Sequence, residues 1–219
     1  MPTAPIDYEV RRSARARRVR VGVDPLGAVT VTLPSGAPRS AAAAAVRELE
    51  PWIRRRLARA QRAREALNRR GSAVPLLGSP LELMPEPGRR MVTRRGERLL
   101  VPEGDPRPAL ERFMRREARR EVSERLDRAC EVAGLSYTGL SIRAQRTRWA
   151  SCSAHGAMSF NWRLVMAPEP ILDYVVWHEV CHLRHADHSP RFWAMVERYR
   201  PTWRAERAWL VEHGATLTL

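Results

Sequence analysis

Four of the chain's six histidines lie within twelve positions, in the segment HEVCHLRHADHS (178–189). His178 and His182 are four residues apart, about one turn of an α-helix, so both imidazoles would project from the same face. Two imidazoles placed in this way can bind one metal ion, and Glu179 is close enough to reach a water molecule on that ion. This HExxH spacing is typical of zinc hydrolases in which the glutamate is the general base. The segment therefore predicts a catalytic zinc site.

A catalytic zinc site needs a third protein ligand, which leaves one position for water. His185 is a poor candidate, because in a continued helix it would lie about 10 Å along the axis from His178. His188 is favoured, because Ser189-Pro190 is typical of a new helix start and the chain can turn back before it. Glu197 is the alternative third ligand. Histidines buried without a metal are disfavoured, since several polar groups would then lack partners.

The segments around the histidines predict a helix preceded by a β-hairpin. Residues 171–183 contain no Gly or Pro, and they follow Pro168 and Pro170, which are typical of a helix start. Upstream, residues 143–164 predict two strands joined by a turn at His155-Gly156, with apolar and polar side chains alternating in the second strand. Such a hairpin could form the wall of a cleft, and its edge could pair with an extended substrate.

The whole chain predicts an α+β fold in which a β-rich N-terminal part precedes the histidines. VRVGV (19–23) and VTVTL (29–33) are alternating runs around a turn, residues 39–70 predict one long helix, and a helical pattern resumes over residues 108–130. We place the boundary so that residues 1–105 form the N-terminal region and residues 106–219 form the metal-dependent hydrolase domain.

The composition gives weaker indications of partners and location. The formal net charge is +15 and every basic residue is an arginine, which predicts nonspecific contact with nucleic acid, although no base-reading motif accompanies the charge. Cys130, Cys152 and Cys181 form no CxxC pair. For Cys181, packing in the core is favoured over binding the metal. For Cys152, a small buried residue is favoured over a latent-site thiol. No apolar run approaches the roughly 20 residues that span a bilayer. We expect a cytoplasmic protein with no membrane contact.

Several longer motifs resemble one protein family. They are RTRWASC (146–152), MSFNWRL (158–164), LDYVVWHEVCHLRHADHSPRFW (172–193) and RAERAWL (204–210). Together they resemble the YgjP-like metallopeptidase-domain proteins, relatives of the SprT- and WLM-type zincins, and the likeness extends over nearly the whole chain. The resemblance implies a zincin-like catalytic domain with an HExxH helix, metal ligands at His178, His182 and His188, and a catalytic Glu179.

These observations predict a zinc-dependent hydrolase and favour a metallopeptidase that acts on peptides or proteins. Zinc and Glu179 would activate a water for attack on a carbonyl carbon, and Glu179 would pass the proton to the leaving amine. A metal-dependent nucleotide pyrophosphatase is one alternative, because activated water also attacks phosphorus. A SprT-like DNA-associated protease, or a DNA-binding module with structural zinc, is the other.

Four residues near the histidines are candidates for binding substrate: Arg148, Trp149, Asn161 and Arg163. For Trp149, packing is favoured over stacking on a substrate. Arg148, Arg163 and Tyr174 are candidates, by proximity in sequence only, for stabilising the negative oxygen that forms during hydrolysis.

Overall fold

The computed structural model describes residues 4–145 and 147–219. Within them the chain has ten β-strands in three small sheets and six α-helices, so the predicted α+β class is confirmed. The chain divides into two compact units, residues 1–69 and residues 70–219. The functional boundary at residue 105 stays a prediction, and residues 70–105 belong to the same compact unit as the histidines.

The first unit is a three-stranded sheet covered by helices. Its strands are β1 (Glu9–Ser13), β2 (Arg20–Val23) and β3 (Val29–Pro34), and its helices are α1 (Ser40–Glu48) and α2 (Glu50–Arg70). β3 is central, parallel to β1 and antiparallel to β2. Because side chains alternate along a strand, Val29, Val31 and Leu33 all face the core, where they cluster with Ile53 of α2.

The long helix predicted over residues 39–70 is two helices. α1 ends at Glu48 and α2 begins at Glu50, with a turn at Leu49 between them. Pro51 explains the break, since it has no N–H with which to continue the first helix and is tolerated in the first turn of the next.

The second unit contains two sheets. The first has four strands in the order β4-β5-β7-β6, and the second has three in the order β8-β10-β9. The strands are β4 (Val74–Leu76), β5 (Ser79–Glu86), β6 (Thr93–Arg95), β7 (Arg98–Pro102), β8 (Gly139–Arg143), β9 (Ala150–Cys152) and β10 (Ala157–Asn161). β10 is central, parallel to β8 and antiparallel to β9. β9 therefore lies at the edge of its sheet.

The remaining helices pack around one buried helix. They are α3 (Arg107–Ala133), α4 (Glu169–His182), α5 (Pro190–Tyr199) and α6 (Trp203–His213), with short 3₁₀ helices at Trp162–Met166 and Gly214–Thr216. α4 is in contact with α3, α5 and α6, and its apolar side chains are buried around most of its circumference, as expected for an enclosed helix. Among the described residues, no helix combines the length and the apolar character needed to cross a membrane.

A network of ion pairs holds α4 to its neighbours. Arg125 of α3 donates to Asp173 of α4 (2.8 Å) and pairs with the buried Glu121. Arg200, at the end of α5, lies 3.6 Å from the other oxygen of Asp173 and pairs with the buried Glu206 of α6. The network thus joins four helices through one carboxylate on α4, and it gives the buried Glu121 and Glu206 cationic partners.

The β4–β5 turn docks against the residue that precedes α4. Leu77 has a positive φ of 52°, and its N–H donates to the carbonyl of Val165 (2.7 Å). Gly78 has φ +83°, and a Cβ built on it would lie 3.0 Å from the Cα of Pro168. The absence of a side chain at Gly78 therefore lets the turn approach the start of α4.

We predict that Gly78→Ala destabilises the second unit more than Gly88→Ala does. Gly88 has a similar φ of +73°, and a Cβ added there would meet nothing within 4 Å, so its alanine variant should lose about 1–2 kcal/mol from the left-handed conformation alone. Gly78→Ala should lose about 1–3 kcal/mol more, because the backbone of Pro168 must move. Urea unfolding followed by tryptophan fluorescence reports mainly on this unit, which holds six of the seven tryptophans. Equal losses would contradict the packing described.

Candidate metal centre

α4 and the turn that follows it bring three histidines together. His178, Glu179 and His182 lie in the last two turns of α4, which ends at His182. The chain then turns back, with the carbonyl of Cys181 accepting from the N–H of His185 (3.0 Å). His188 follows, one residue before Ser189, and α5 begins at Pro190.

The imidazole nitrogens of His178, His182 and His188 face one another. The Nε2 atoms of His188 and His178 are 3.1 Å apart, and one ligand atom from each histidine lies within 4.8 Å of the others. Nδ1 of His182 is 3.0 Å from the carbonyl oxygen of His185. Because a carbonyl only accepts, this Nδ1 carries the proton and Nε2 keeps its lone pair free.

The cluster fits a divalent cation. Ligands on a tetrahedral ion with bonds of about 2.0–2.1 Å lie roughly 3.3 Å apart, close to the separation of the Nε2 atoms of His178 and His188. A single N–H···N hydrogen bond has a similar length, so this distance alone does not decide. Nδ1 of His178 and Oε2 of Glu179, however, are buried without a hydrogen-bond partner among the described residues. Buried polar atoms normally have partners, and a cation with its water would give Glu179 one.

Burial keeps two of the histidines neutral. Burial, together with the charges of His182, His188 and Arg207, lowers the pKa of His178 to about 3. Burial also lowers the pKa of His182, and it outweighs the hydrogen bond to the carbonyl of His185, which raises that pKa. Neutral imidazole is the form that binds metals, so these two side chains need not lose a proton before binding an ion.

Glu179 is 5% exposed, and its burial raises the pKa of its carboxyl to about 8. The backbone N–H of Cys152 donates to this carboxylate, and that hydrogen bond and the charge of Arg148 lower the pKa. A cation at the three histidines would lower it too, since an opposite charge stabilises the ionised form. The group is thus placed to exchange a proton near neutral pH.

These residues open into a cleft of about 580 Å³. One wall is formed by the three histidines, Glu179 and the turn after α4, and the other by β9 and the turn after it. The other lining residues are Ala150, Ser151, Cys152, Ser153, Ala154, Gly156, Leu183, Arg184 and Ala186. Most of them are small, so the backbone of β9 is accessible from the cleft.

The free edge of β9 faces the histidine helix. Ser151 is paired with Ser159, the carbonyl of Trp149 accepts from Asn161, and the N–H of Ser153 donates to the carbonyl of Ala157. Because alternate residues of an edge strand turn their backbone groups outward, Ala150 and Cys152 present theirs to the other side. The bond from the N–H of Cys152 to Glu179 agrees with this alternation.

Cys152 lies in the cleft and is half-buried, so the buried position favoured for it is wrong. It faces the cleft because β9 is an edge strand. Burial raises the pKa of its thiol, and the nearby Glu179 raises it further. The thiol is therefore protonated and weakly nucleophilic. Cys181 is fully buried in the core, as expected.

Trp149 and Arg148 lie just before β9, and neither lines the cleft. The indole of Trp149 is half-buried against Gly214, where an added Cβ would lie 2.8 Å from Cζ2 of the ring. Arg148 is exposed. Binding of substrate by either residue stays a prediction.

Asn161 and Arg163 also lie outside the cleft lining. Asn161 is buried, and its Nδ2 donates to the carbonyl of Gln145 (2.7 Å) while its Oδ1 accepts from the N–H of Arg163 (3.2 Å). The guanidinium of Arg163 lies 4.6 Å from the ring centroid of Trp162. Their role in substrate binding stays a prediction, and the contacts show that Asn161 caps the 3₁₀ helix.

Two further candidates have clear positions. Glu197 pairs with Arg204 at 2.7 Å and is not part of the histidine cluster. Tyr174 is buried one turn before His178, with the two rings edge to face at 5.9 Å.

Aromatic packing and a carbonyl contact around the histidines were missed from the sequence. Phe192 stacks on His182 with ring centroids 4.5 Å apart, and Trp193 lies 5.6 Å from His188. The carbonyl of His185 orients His182. The pair Phe192-Trp193 directly after a predicted helix start was a usable signal for the first contact. The second depends on a backbone turn that side-chain patterns do not encode.

Comparisons with known proteins identify the family of this chain. Residues 17–213 match the family model described as YgjP-like, metallopeptidase domain, and no curated protein gives a significant match. Among solved structures, the metallopeptidase zymogen abylysin of Pyrococcus abyssi is similar at 27% identity over 39% of this chain and 86% of that one, with a TM-score of 0.36. The metallopeptidase zymogen jannalysin of Methanocaldococcus jannaschii is similar at 15% identity over 41% and 93%, with a TM-score of 0.38. The family match covers most of the 219 residues, and the chain belongs to the YgjP-like metallopeptidase-domain family.

Proposed function

We propose that the protein is a zinc-dependent peptidase in which His178, His182 and His188 bind the metal and Glu179 is the general base. The observation that carries the proposal is convergence: the imidazole nitrogens lie within 4.8 Å of one another in a cleft that also holds a buried carboxylate. Three imidazoles with an open position suit catalytic zinc better than structural zinc, which normally has four protein ligands.

The metal, when bound, would polarise the substrate carbonyl and lower the pKa of a water molecule, so that the water can lose a proton and attack the carbonyl carbon. Glu179 would take the proton from the attacking water and deliver it to the leaving amine. The hydrogen bond from the N–H of Cys152 holds the carboxylate in place, and burial keeps it poorly solvated. The carbonyl of His185 holds the ring of His182 in one tautomer.

A peptide substrate is favoured by the free edge of β9. The outward N–H and C=O of Ala150 and the C=O of Cys152 can pair with an extended peptide, as strands add to sheet edges. Such pairing would lay the scissile bond beside Glu179. A nucleotide has no backbone groups to match this edge, and no feature of residues 4–145 and 147–219 favours the pyrophosphatase or the DNA-associated alternatives.

We predict that His188→Ala abolishes stoichiometric zinc binding and that His185→Ala does not. His188 supplies an imidazole to the cluster, whereas His185 supplies its backbone carbonyl, which alanine retains. Metal content after zinc loading and gel filtration, measured by plasma mass spectrometry, distinguishes the variants. One tightly bound zinc in His188→Ala, or equal loss in both variants, would show that the third ligand is misassigned.

We predict that Glu179→Gln keeps its zinc and loses hydrolysis of a quenched fluorescent peptide by at least about 10²-fold, since the swap removes the general base. Glu197→Gln is the matched control, because Glu197 lies on the neighbouring helix and pairs with Arg204 outside the cleft. Its activity should stay near that of the wild type. Loss of zinc from Glu179→Gln, or full activity with zinc retained, would refute the role given to Glu179.

A further inference from the structure

We infer that the cleft selects peptides with acidic side chains on both sides of the scissile bond, and that Arg184 and Arg148 recognise them at opposite ends of β9. The inference rests on the proposed peptidase function and specifies its substrate class.

The lining of the cleft has little negative charge of its own. Glu179 is the one carboxylate among the lining residues, and Arg184 contributes a fixed positive charge. Asp187 lies nearby in the turn after α4, where its carboxylate accepts from the N–H of Ser189 (3.3 Å). A cation on the three histidines would make the field in the cleft more positive, and a positive cleft concentrates anionic ligands.

Arg184 stands at the end of β9 where the strand enters its turn. It is exposed and follows Leu183, whose Cδ2 lies 3.4 Å from the position of a Cβ on Gly156. Gly156 belongs to the turn between β9 and β10. Arg184 lines the cleft beside this turn, so its charge lies at the end of the cleft beyond Cys152.

Arg148 lies at the other end of the same strand, just outside the lining of the cleft. It is exposed and precedes Ala150, the first residue of β9, by two positions. Its charge reaches the carboxylate of Glu179, whose pKa it lowers. Residues 148 and 153 would be roughly 17 Å apart along an extended strand at about 3.3 Å per residue, so a peptide of about six residues would reach both arginines.

Both guanidiniums are available for a ligand. Among residues 4–145 and 147–219, neither Arg148 nor Arg184 has an ion pair or a side-chain hydrogen bond, whereas Arg125 and Arg200 are engaged with buried or half-buried carboxylates. An uncommitted guanidinium can bind a carboxylate in bidentate fashion, so side chains of Asp or Glu are the matching groups.

The test uses octapeptides of one neutral core sequence. Single glutamates are placed on the N-terminal side, the C-terminal side, both sides or neither, and a lysine series is the opposite-charge control. For the zinc-loaded protein, each glutamate should raise kcat/KM about 3- to 10-fold over the neutral peptide, the range for a partly exposed to partly desolvated ion pair. The gain should shrink at high salt.

Variants assign each end. Arg184→Gln should remove the glutamate preference on one side of the scissile bond, and Arg148→Gln should remove it on the other. Arg95→Gln, on the exposed strand β6 outside the cleft, removes the same charge and should leave both preferences intact. Binding of the uncleaved peptides to zinc-loaded Glu179→Gln, followed by fluorescence anisotropy, should show the same pattern without turnover.

The outcomes separate this inference from the proposed function. If neutral peptides are cleaved and glutamate gives no advantage, or if both variants affect the same side, the inference is wrong and the peptidase stands. The inference is also wrong if Arg95→Gln changes the glutamate preference as strongly as Arg184→Gln and Arg148→Gln do. If no peptide is cleaved, the proposed function fails. The inference is then tested separately by the anisotropy measurement of peptide binding to Glu179→Gln. Salt-sensitive binding that Arg184→Gln and Arg148→Gln weaken supports it, and absence of binding overturns it.

Discussion

The structure is constrained by polar side chains that lie on a helix that is otherwise enclosed. α4 is buried around most of its circumference, yet it carries His178, Glu179 and His182 near its C-terminal end. Withdrawing imidazoles and a carboxylate from water costs free energy unless they find partners. Two of their atoms, Nδ1 of His178 and Oε2 of Glu179, have none among the described residues. A cation at the three histidines, with its water, would give Oε2 of Glu179 a partner.

Much of the second unit can be understood as support for that helix. Asp173 near its start is shared by arginines from α3 and from the end of α5. The turn at Gly78 packs against Pro168, just before α4 begins. At the other end the carbonyl of His185 holds His182, and the N–H of Cys152 holds Glu179. Positioning thus comes from backbone groups near the cleft and from ion pairs at the far end of the helix.

The elements of the site could be predicted wherever a single pattern determined them. The spacing of His178 and His182, the apolar positions before them and the signal at Ser189-Pro190 all act locally, and α4 and α5 occupy those segments. His188 was favoured over His185 because of axial rise along a helix and the helix start at Ser189-Pro190; the structure brings His188 into the cluster, and its role as a ligand stays a prediction. The family could be predicted because its motifs are long and specific, and the match over residues 17–213 bears this out.

What could not be predicted depends on contacts between distant segments. No local pattern shows that the N–H of Cys152 meets Glu179, because that contact requires β9 to lie at a sheet edge beside α4. Pro51 was recognised as an interruption of the helical pattern over residues 39–70, but the pattern alone did not show that one helix ends at Glu48 and another begins at Glu50. The ion pairs of Asp173 could not be predicted for a similar reason, since its two arginine partners lie in α3 and at the end of α5.

The most direct measurement of the central claim is the X-ray absorption spectrum of the protein loaded with one equivalent of zinc. The account predicts that the zinc has only nitrogen and oxygen neighbours, at about 2.0–2.1 Å, and that the spectrum shows the scattering of three imidazoles. A sulfur at about 2.3 Å would place Cys152 or Cys181 on the metal. Such a sulfur, or a spectrum with fewer than two imidazoles, would contradict the convergence of His178, His182 and His188 on one ion.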